Sequence, residues 1–185
     1  MRRLLTVLAA VLLWGGVAQA TVVLQFTPGT KDVAVGSTFT MDLRADVPNA
    51  DALVGWGGTL LYDPSLVRLD GVSFGLLWDS ALYLGGDTLV TLLLPNPTSP
   101  DPGASGQDLQ LAQLTFACLG VGTTRLGMAI DLLDPVQGFM RFDGNYADLE
   151  IVDAEINQVT VPEPGTFLLL LTGLAGCLGL RRLRS

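Results

Sequence analysis

Histidine is absent from the 185 residues, and lysine occurs once, at Lys31. That composition removes Ser-His-Asp and Cys-His nucleophile systems, and with them histidine-ligated zinc. The two cysteines, Cys118 and Cys177, are too few for a disulfide scaffold or a four-cysteine metal site. Remaining chemistry would fall to carboxylates. Asp63-Pro64 and Asp70-Gly71 read first as turn formers, because aspartate bonds its own backbone and proline fixes φ. Their alternative is a carboxylate pair for acid–base work, which needs both acids converging in one cleft. Asp143, Asn145 and Asp148 are calcium-type ligands, yet they lack EF-hand spacing and its distant glutamate. A hairpin turn is the first reading there and a calcium loop the second. Lys31 would need burial to act as a Schiff-base lysine; beside Asp32 it reads as a solvated charge. Cys118 keeps phase with Leu114 and Phe116, as a core thiol would. No cofactor and no metal follow from these residues.

Aromatic residues could do a different chemistry, stacking on sugar rings. Trp78 and Tyr83, beside glycine-rich turns, are the candidate ligand contacts. Trp56 keeps phase with Leu60 and Tyr62 and is expected in a core.

Strands must position these groups. Over 38–46, Phe39, Met41, Leu43 and Ala45 alternate with polar residues, the mark of a half-buried strand. Val54, Trp56, Leu60 and Tyr62 share a face over 54–62, and Leu126, Met128 and Ile130 do so over 124–130. Over 109–118 the phase switches, which predicts a β-bulge near Ala112-Gln113. Shorter strands are expected at 22–27, 67–69, 72–74, 88–94 and 156–161. No helical stripe occurs between 21 and 161. The segment 95–108 carries four of the ten prolines and is expected to be a long exposed loop. Such a chain predicts an all-β fold, an antiparallel sandwich or barrel.

The ends have a different design. Residues 1–20 open with Arg2 and Arg3, continue with an apolar run, and close on Ala18-Gln19-Ala20, a small-x-small triplet. This is the layout of a secretory signal peptide, cut by signal peptidase after Ala20. At the other end, 166–180 is uncharged and is followed by Arg181, Arg182 and Arg184. As a helix it would span about 22 Å, short of a ~30 Å hydrocarbon core, but arginine stems snorkel and bilayers thin. A short membrane helix with cytoplasmic arginines is the expectation. Between the ends, 21–180 holds all eighteen acidic residues against five basic ones. That balance argues against nucleic acid, whose affinity comes from Lys and Arg on phosphate. It suits an exported, soluble domain.

Val161-Pro162-Glu163-Pro164-Gly165 stands just before the apolar stretch. Its prolines hold the backbone extended. Together the three parts resemble the PEP-CTERM sorting signal: Pro-Glu-Pro, an apolar helix and a terminal arginine cluster. The resemblance implies recognition and cleavage by an exosortase, with the membrane helix as a transient anchor. It also implies a bacterial envelope that makes extracellular polysaccharide.

The middle region resembles cohesin domains. The resemblance rests on Val35-Gly36-Ser37, Phe39, Trp56, Tyr62-Asp63-Pro64, Leu69 to Gly75, and Leu114-Thr115-Phe116-Ala117 before Gly122-Thr123-Thr124. It implies a jelly-roll-like sandwich of about nine strands. Cohesins pair with dockerin modules. The chain is thus expected to comprise a signal peptide (1–20), a β-sandwich (21–161) and a sorting segment (162–185). The expected role is a non-enzymatic surface or extracellular-matrix protein in adhesion or biofilm assembly, associated with polysaccharide. The alternatives are a receptor for another surface protein, or a carboxylate-based glycan hydrolase.

Overall fold

Alternating apolar residues become strands whose inner faces meet. The computed structural model describes residues 21–83, 85–94 and 103–160. The cleavage residues Ala18 and Ala20, the motif Val161-Pro162-Glu163-Pro164, and Arg181, Arg182, Arg184 and Cys177 lie outside the described residues, as do both expected terminal helices. Among the described residues, no helix is long and apolar enough to cross a membrane.

In chain order the strands are β1 (Val22–Thr27), β2 (Thr30–Ala34), β3 (Thr38–Val47), β4 (Leu53–Leu61), β5 (Val67–Phe74) and β6 (Trp78–Asp79). Then come β7 (Thr88–Leu93), β8 (Gly106–Cys118), β9 (Gly122–Ala129), β10 (Gly138–Arg141), β11 (Leu149–Val152) and β12 (Ala154–Val159). Two short 3-10 turns, Asn49–Asp51 and Ser80–Leu82, interrupt them. One sheet has the order β11-β1-β3-β8-β5. The other runs β2-β12-β9-β4-β7-β6, with β10 beside β4. Leu24, Met41, Leu43, Leu114 and Phe116 from the first sheet meet Trp56, Leu89, Leu126, Phe139 and Ile156 from the second, all in the core.

Several sequence expectations need correction. Twelve strands are described, against about nine expected. The additional ones are mostly short edges such as β6, β10 and β11, where two to four residues give little periodicity to read. Pairing is mixed: β1 runs parallel to β11, and β2 parallel to β12. The segments 67–69 and 72–74 are one strand, β5, which continues through a bulge at Asp70. Asp70-Gly71 is therefore no turn. In β4 the buried end residue is Leu53 rather than Val54, because the register with β10 slips between Met140 and Arg141. The bulge in β8 falls at Leu111: Leu43 pairs with Ala112 and Arg44 with Gln110. Leu111 and Ala112 are consecutive and both fully buried, so the phase switch is real and lies one residue earlier. The expected loop 95–108 ends sooner than its composition implies, since Ala104 bridges Leu53 and Gly106 already starts β8.

Asp63-Pro64 does form a turn. Leu66 and Val67 N–H donate to the Asp63 carbonyl, and Ser65 N–H donates to the Asp63 carboxylate at 2.8 Å. Bonds from the Ser65 hydroxyl and N–H hold that carboxyl below its ordinary pKa. Tyr62, just before it, sets its ring edge-on to Phe116 at 5.5 Å and donates to Asp87 at 2.5 Å. Burial first, then the bond to Asp87, pushes its hydroxyl up to about 12 from 10.0. The fold favours the neutral phenol. Its stabilisation is complete below pH 10 and is lost as the pH rises towards 12. The thermal midpoint is therefore expected to fall across that alkaline window. Tyr62→Phe should flatten the fall, and equal slopes in both proteins would contradict the assignment.

Candidate functional site

Each residue singled out for chemistry now has a place. Trp78 is only 4% exposed, stands edge-on to Trp56 at 6.2 Å, and donates Nε1–H to the Gln110 carbonyl at 3.1 Å. It is a core residue, so the expected ligand contact is corrected: β6 turns the indole inward, onto β8. Tyr83 packs edge-on to Phe74 at 5.6 Å and donates to the Gly86 carbonyl, which holds its half-buried ring at the rim of the core. The two aromatics do not form a stacking platform. Cys118 is buried, as its phase implied, and burial pushes its thiol up. Lys31 is exposed at its tip, donates to the Thr40 carbonyl at 3.0 Å, and lies 6.0 Å from the Phe39 ring. Asp143 closes the hairpin between β10 and Tyr146, accepting from Asn145 N–H at 2.9 Å, with Gly144 at φ +79. No group of three or more metal-binding side chains exists among the described residues.

The clefts sort the remaining readings. One of them, about 420 Å³, is an open trough between β2 and β3 lined by Lys31, Ser37, Thr38, Thr40 and Thr115. Asp32 is its one carboxylate, and that carboxylate accepts from Asn157. A glycoside-cleaving pair needs two carboxyls roughly 5–10 Å apart across a cleft, and this trough offers one. The outer face of the five-stranded sheet is polar, and its two arginines are already paired. Arg44 bonds Asp42 at 3.2 Å and Asp108 at 2.7 Å, Gln113 donates to Asp42, and Arg68 bonds Asp70.

The outer face of the other sheet around β4, β7 and β10, with the loops beside it, differs. Of the fifteen exposed large apolar residues among the described ones, ten lie within 76–94 and 132–146, Leu76, Leu132, Leu133 and Phe142 foremost. Two apolar depressions meet there and share Gly138. One, about 100 Å³, is lined by Leu82, Leu92, Val136, Met140 and Tyr146. Glycine makes it: a Cβ on Gly57 would meet the Val136 carbonyl at 2.2 Å, and one on Gly138 would meet Tyr146 at 2.6 Å. The other, about 330 Å³, opens between Ile130, Leu132, Phe139, Leu149 and Ile151.

Between them stands the loop 131–137. It is braced by its own polar groups. Leu133 N–H donates to the Asp131 carboxylate, and Val136 N–H and Gln137 Nε2 donate to Asp134. Asp131 N–H donates to the Gln137 side chain, and the Asp134 and Gln137 N–H groups close the two turns. Six bonds thus fix seven residues while Leu133, 93% exposed, and Leu132, 60% exposed, stand in water. Below the loop, Arg141 bonds the buried Asp51 at 2.8 Å and ties the hairpin to the β3–β4 connection. The arrangement can insert rigid apolar side chains into a partner and receive apolar side chains in return. Sequence reasoning passed over this loop because it sought polar chemistry. The signal available was Leu132-Leu133 within a turn sequence that would ordinarily be polar.

Solved structures share the architecture. The seventh ScaB type I cohesin of Pseudobacteroides cellulosolvens superposes with a TM-score of 0.55 at 16% identity, over 78% of this chain and 96% of the cohesin. The sixth cohesin of Acetivibrio cellulolyticus scaffoldin B, solved in complex with a Cel5 dockerin, gives 0.55 at 12%, over 76% and 100%. A non-cellulosomal cohesin from the archaeon Archaeoglobus fulgidus gives 0.51 at 14%, over 76% and 93%. The fold is that of cohesin domains. Beyond this cohesin-like sandwich, residues 160–184 match the PEP-CTERM protein-sorting motif. No curated protein matches the chain in sequence.

Proposed function

We propose that this chain is an exported, exosortase-processed surface protein whose cohesin-like sandwich binds another surface protein. The binding surface in this reading is the apolar surface around loop 131–137, and the protein is non-enzymatic. One observation carries it: the loop is braced by its own hydrogen bonds while presenting Leu132 and Leu133 to water. Monomeric proteins rarely expose clustered apolar side chains without a use for them. Pre-organisation lowers the entropy lost on binding. The 100 Å³ depression suits a single apolar side chain and is below the range of small-molecule pockets. Adhesion or assembly of a polysaccharide-rich matrix is the setting that the sorting motif favours. The polar outer face of the five-stranded sheet is the second candidate surface for binding a protein, the class of partner with which a cohesin of this fold was solved.

A photo-reactive residue placed at Phe142 or at Ser73 separates the two faces on living cells. Cross-linking from Phe142 supports the apolar surface, and cross-linking from Ser73 alone supports the five-stranded sheet. Sorting is tested by mass spectrometry of the native protein. The mature form should lack every peptide from 166–185, and replacing Pro162, Glu163 and Pro164 with alanine should leave a full-length, membrane-bound product. A full-length product in the unaltered protein, with exosortase present, would refute the sorting reading.

A further inference from the structure

Three turns gather at the end where the chain leaves β12. They are 35–37, 63–66 and 119–121. Backbone bonds join them: Val35 N–H to the Val159 carbonyl at 3.0 Å, Gly36 N–H to Cys118 at 2.9 Å, and Leu119 N–H to Leu66 at 2.8 Å. β12 is held on both sides, by β2 and by β9, as far as Val159 and Gln158 respectively. It can release no slack without losing those pairs. The sorting motif begins at 160, and the uncharged stretch begins at Thr166. Six residue steps, about 20 Å when fully extended, therefore separate the sandwich from the start of that stretch.

This end is also unlike the rest of the acidic domain. Among the described residues, the three turns and the last residues of β12 carry a single ionisable side chain, Asp63, already occupied by Ser65. Leu119, Val121 and Val159 are 45%, 59% and 48% exposed. An acidic domain is repelled by an anionic lipid surface, so its charge-poor end is the one that can approach closely. Leu119 and Val121, on a tight turn, are the side chains that reach out from that end.

We propose that this end is a membrane-contact surface: while the anchor is in place, the 119–121 turn rests in the lipid interface and the sandwich stands upright on it. The occupant is the bilayer itself. The inference rests on the anchoring reading above, because the short tether supplies the high effective concentration that two apolar side chains need. In that pose loop 131–137, level with the middle of β4, stands clear of the lipid.

The test uses the full chain in phosphatidylethanolamine–phosphatidylglycerol vesicles. In a Cys177→Ser background, Cys118 is buried, so an environment-sensitive fluorophore can be attached at Val121→Cys or, as a control, at Leu133→Cys. Vesicle binding should blue-shift the label at 121, nitroxide-headgroup lipid should quench it, and the label at 133 should stay nearly unchanged in both. Adding Leu119→Asp should abolish the quenching at 121 while flotation with the vesicles persists. Equal quenching at both positions, or none at 121 in a chain that floats, overturns the inference. A chain that fails to float overturns the anchoring reading itself.

Discussion

Replacing Trp56 with alanine is expected to remove about 3–5 kcal/mol of stability, the usual cost of truncating a buried aromatic. That is a large share of the roughly 5–15 kcal/mol a domain holds in total. Trp56 is 2% exposed and touches three aromatic rings: Phe139 at 6.0 Å, Phe74 at 5.7 Å and Trp78 at 6.2 Å. Its neighbours come from both sheets, so they cannot close the void by moving one element. Trp78→Ala belongs to the same class, and any loss of surface retention in that variant would follow from unfolding. Phenylalanine separates the two positions. The Trp56 Nε1 is buried without a hydrogen-bond partner, whereas the Trp78 Nε1 donates to Gln110. Trp56→Phe removes an unsatisfied donor, and Trp78→Phe strands an acceptor. Urea unfolding followed by far-ultraviolet circular dichroism should rank Trp78→Phe as the more damaging. A Trp56→Ala cost under about 1 kcal/mol would contradict this account of the core.

Leu133→Asp should abolish binding and leave the fold intact. The side chain is 93% exposed, so folding gains little from it. Burying a leucine against a partner is worth about 1.5–3 kcal/mol, or roughly ten- to 150-fold in affinity. A carboxylate placed in an apolar contact adds a desolvation penalty on top. The measurement is binding of fluorescently labelled mature protein to producer cells that lack their own copy. Half-saturation should move by about two orders of magnitude or vanish, with the thermal midpoint unchanged. Asp134→Ala provides the complementary case. It leaves every apolar side chain in place and deletes the acceptor of Val136 N–H and Gln137 Nε2. Affinity should fall by a smaller factor, about five- to thirtyfold, as the loop regains the freedom its own bonds had removed. Full binding by Leu133→Asp would sink the reading built on loop 131–137 and return attention to the five-stranded sheet.

Much of this molecule is legible before folding. Alternation in 38–46 placed Phe39, Met41, Leu43 and Ala45 on the buried face, and β3 buries those four. The phase switch in 109–118 announced a bulge, and one is present at Leu111. Trp56 was assigned to the core by phase, correctly. Asp70-Gly71 misled because the pair forms turns in isolation, whereas cross-strand pairing with Thr115 and Phe116 kept β5 running through it. Trp78 misled because a two-residue strand has no period. Its burial depends on Leu93 across the sheet and on Gln110, thirty-two residues away in the chain.

The amino-acid order by itself determined the all-β character of the chain, its excess of acid and its sorting motif at 160–184. These depend on composition and on periodicity between neighbours, which a chain carries whether folded or not. Tertiary structure alone decided which aromatics are inaccessible, where registers slip, and that the apolar loop 131–137 leaves the sheet beside the middle of β4 and folds over Gly57. Those properties arise from contacts between residues far apart in sequence. Only packing two sheets against each other determines which side chains remain in water and which face of the sandwich they occupy.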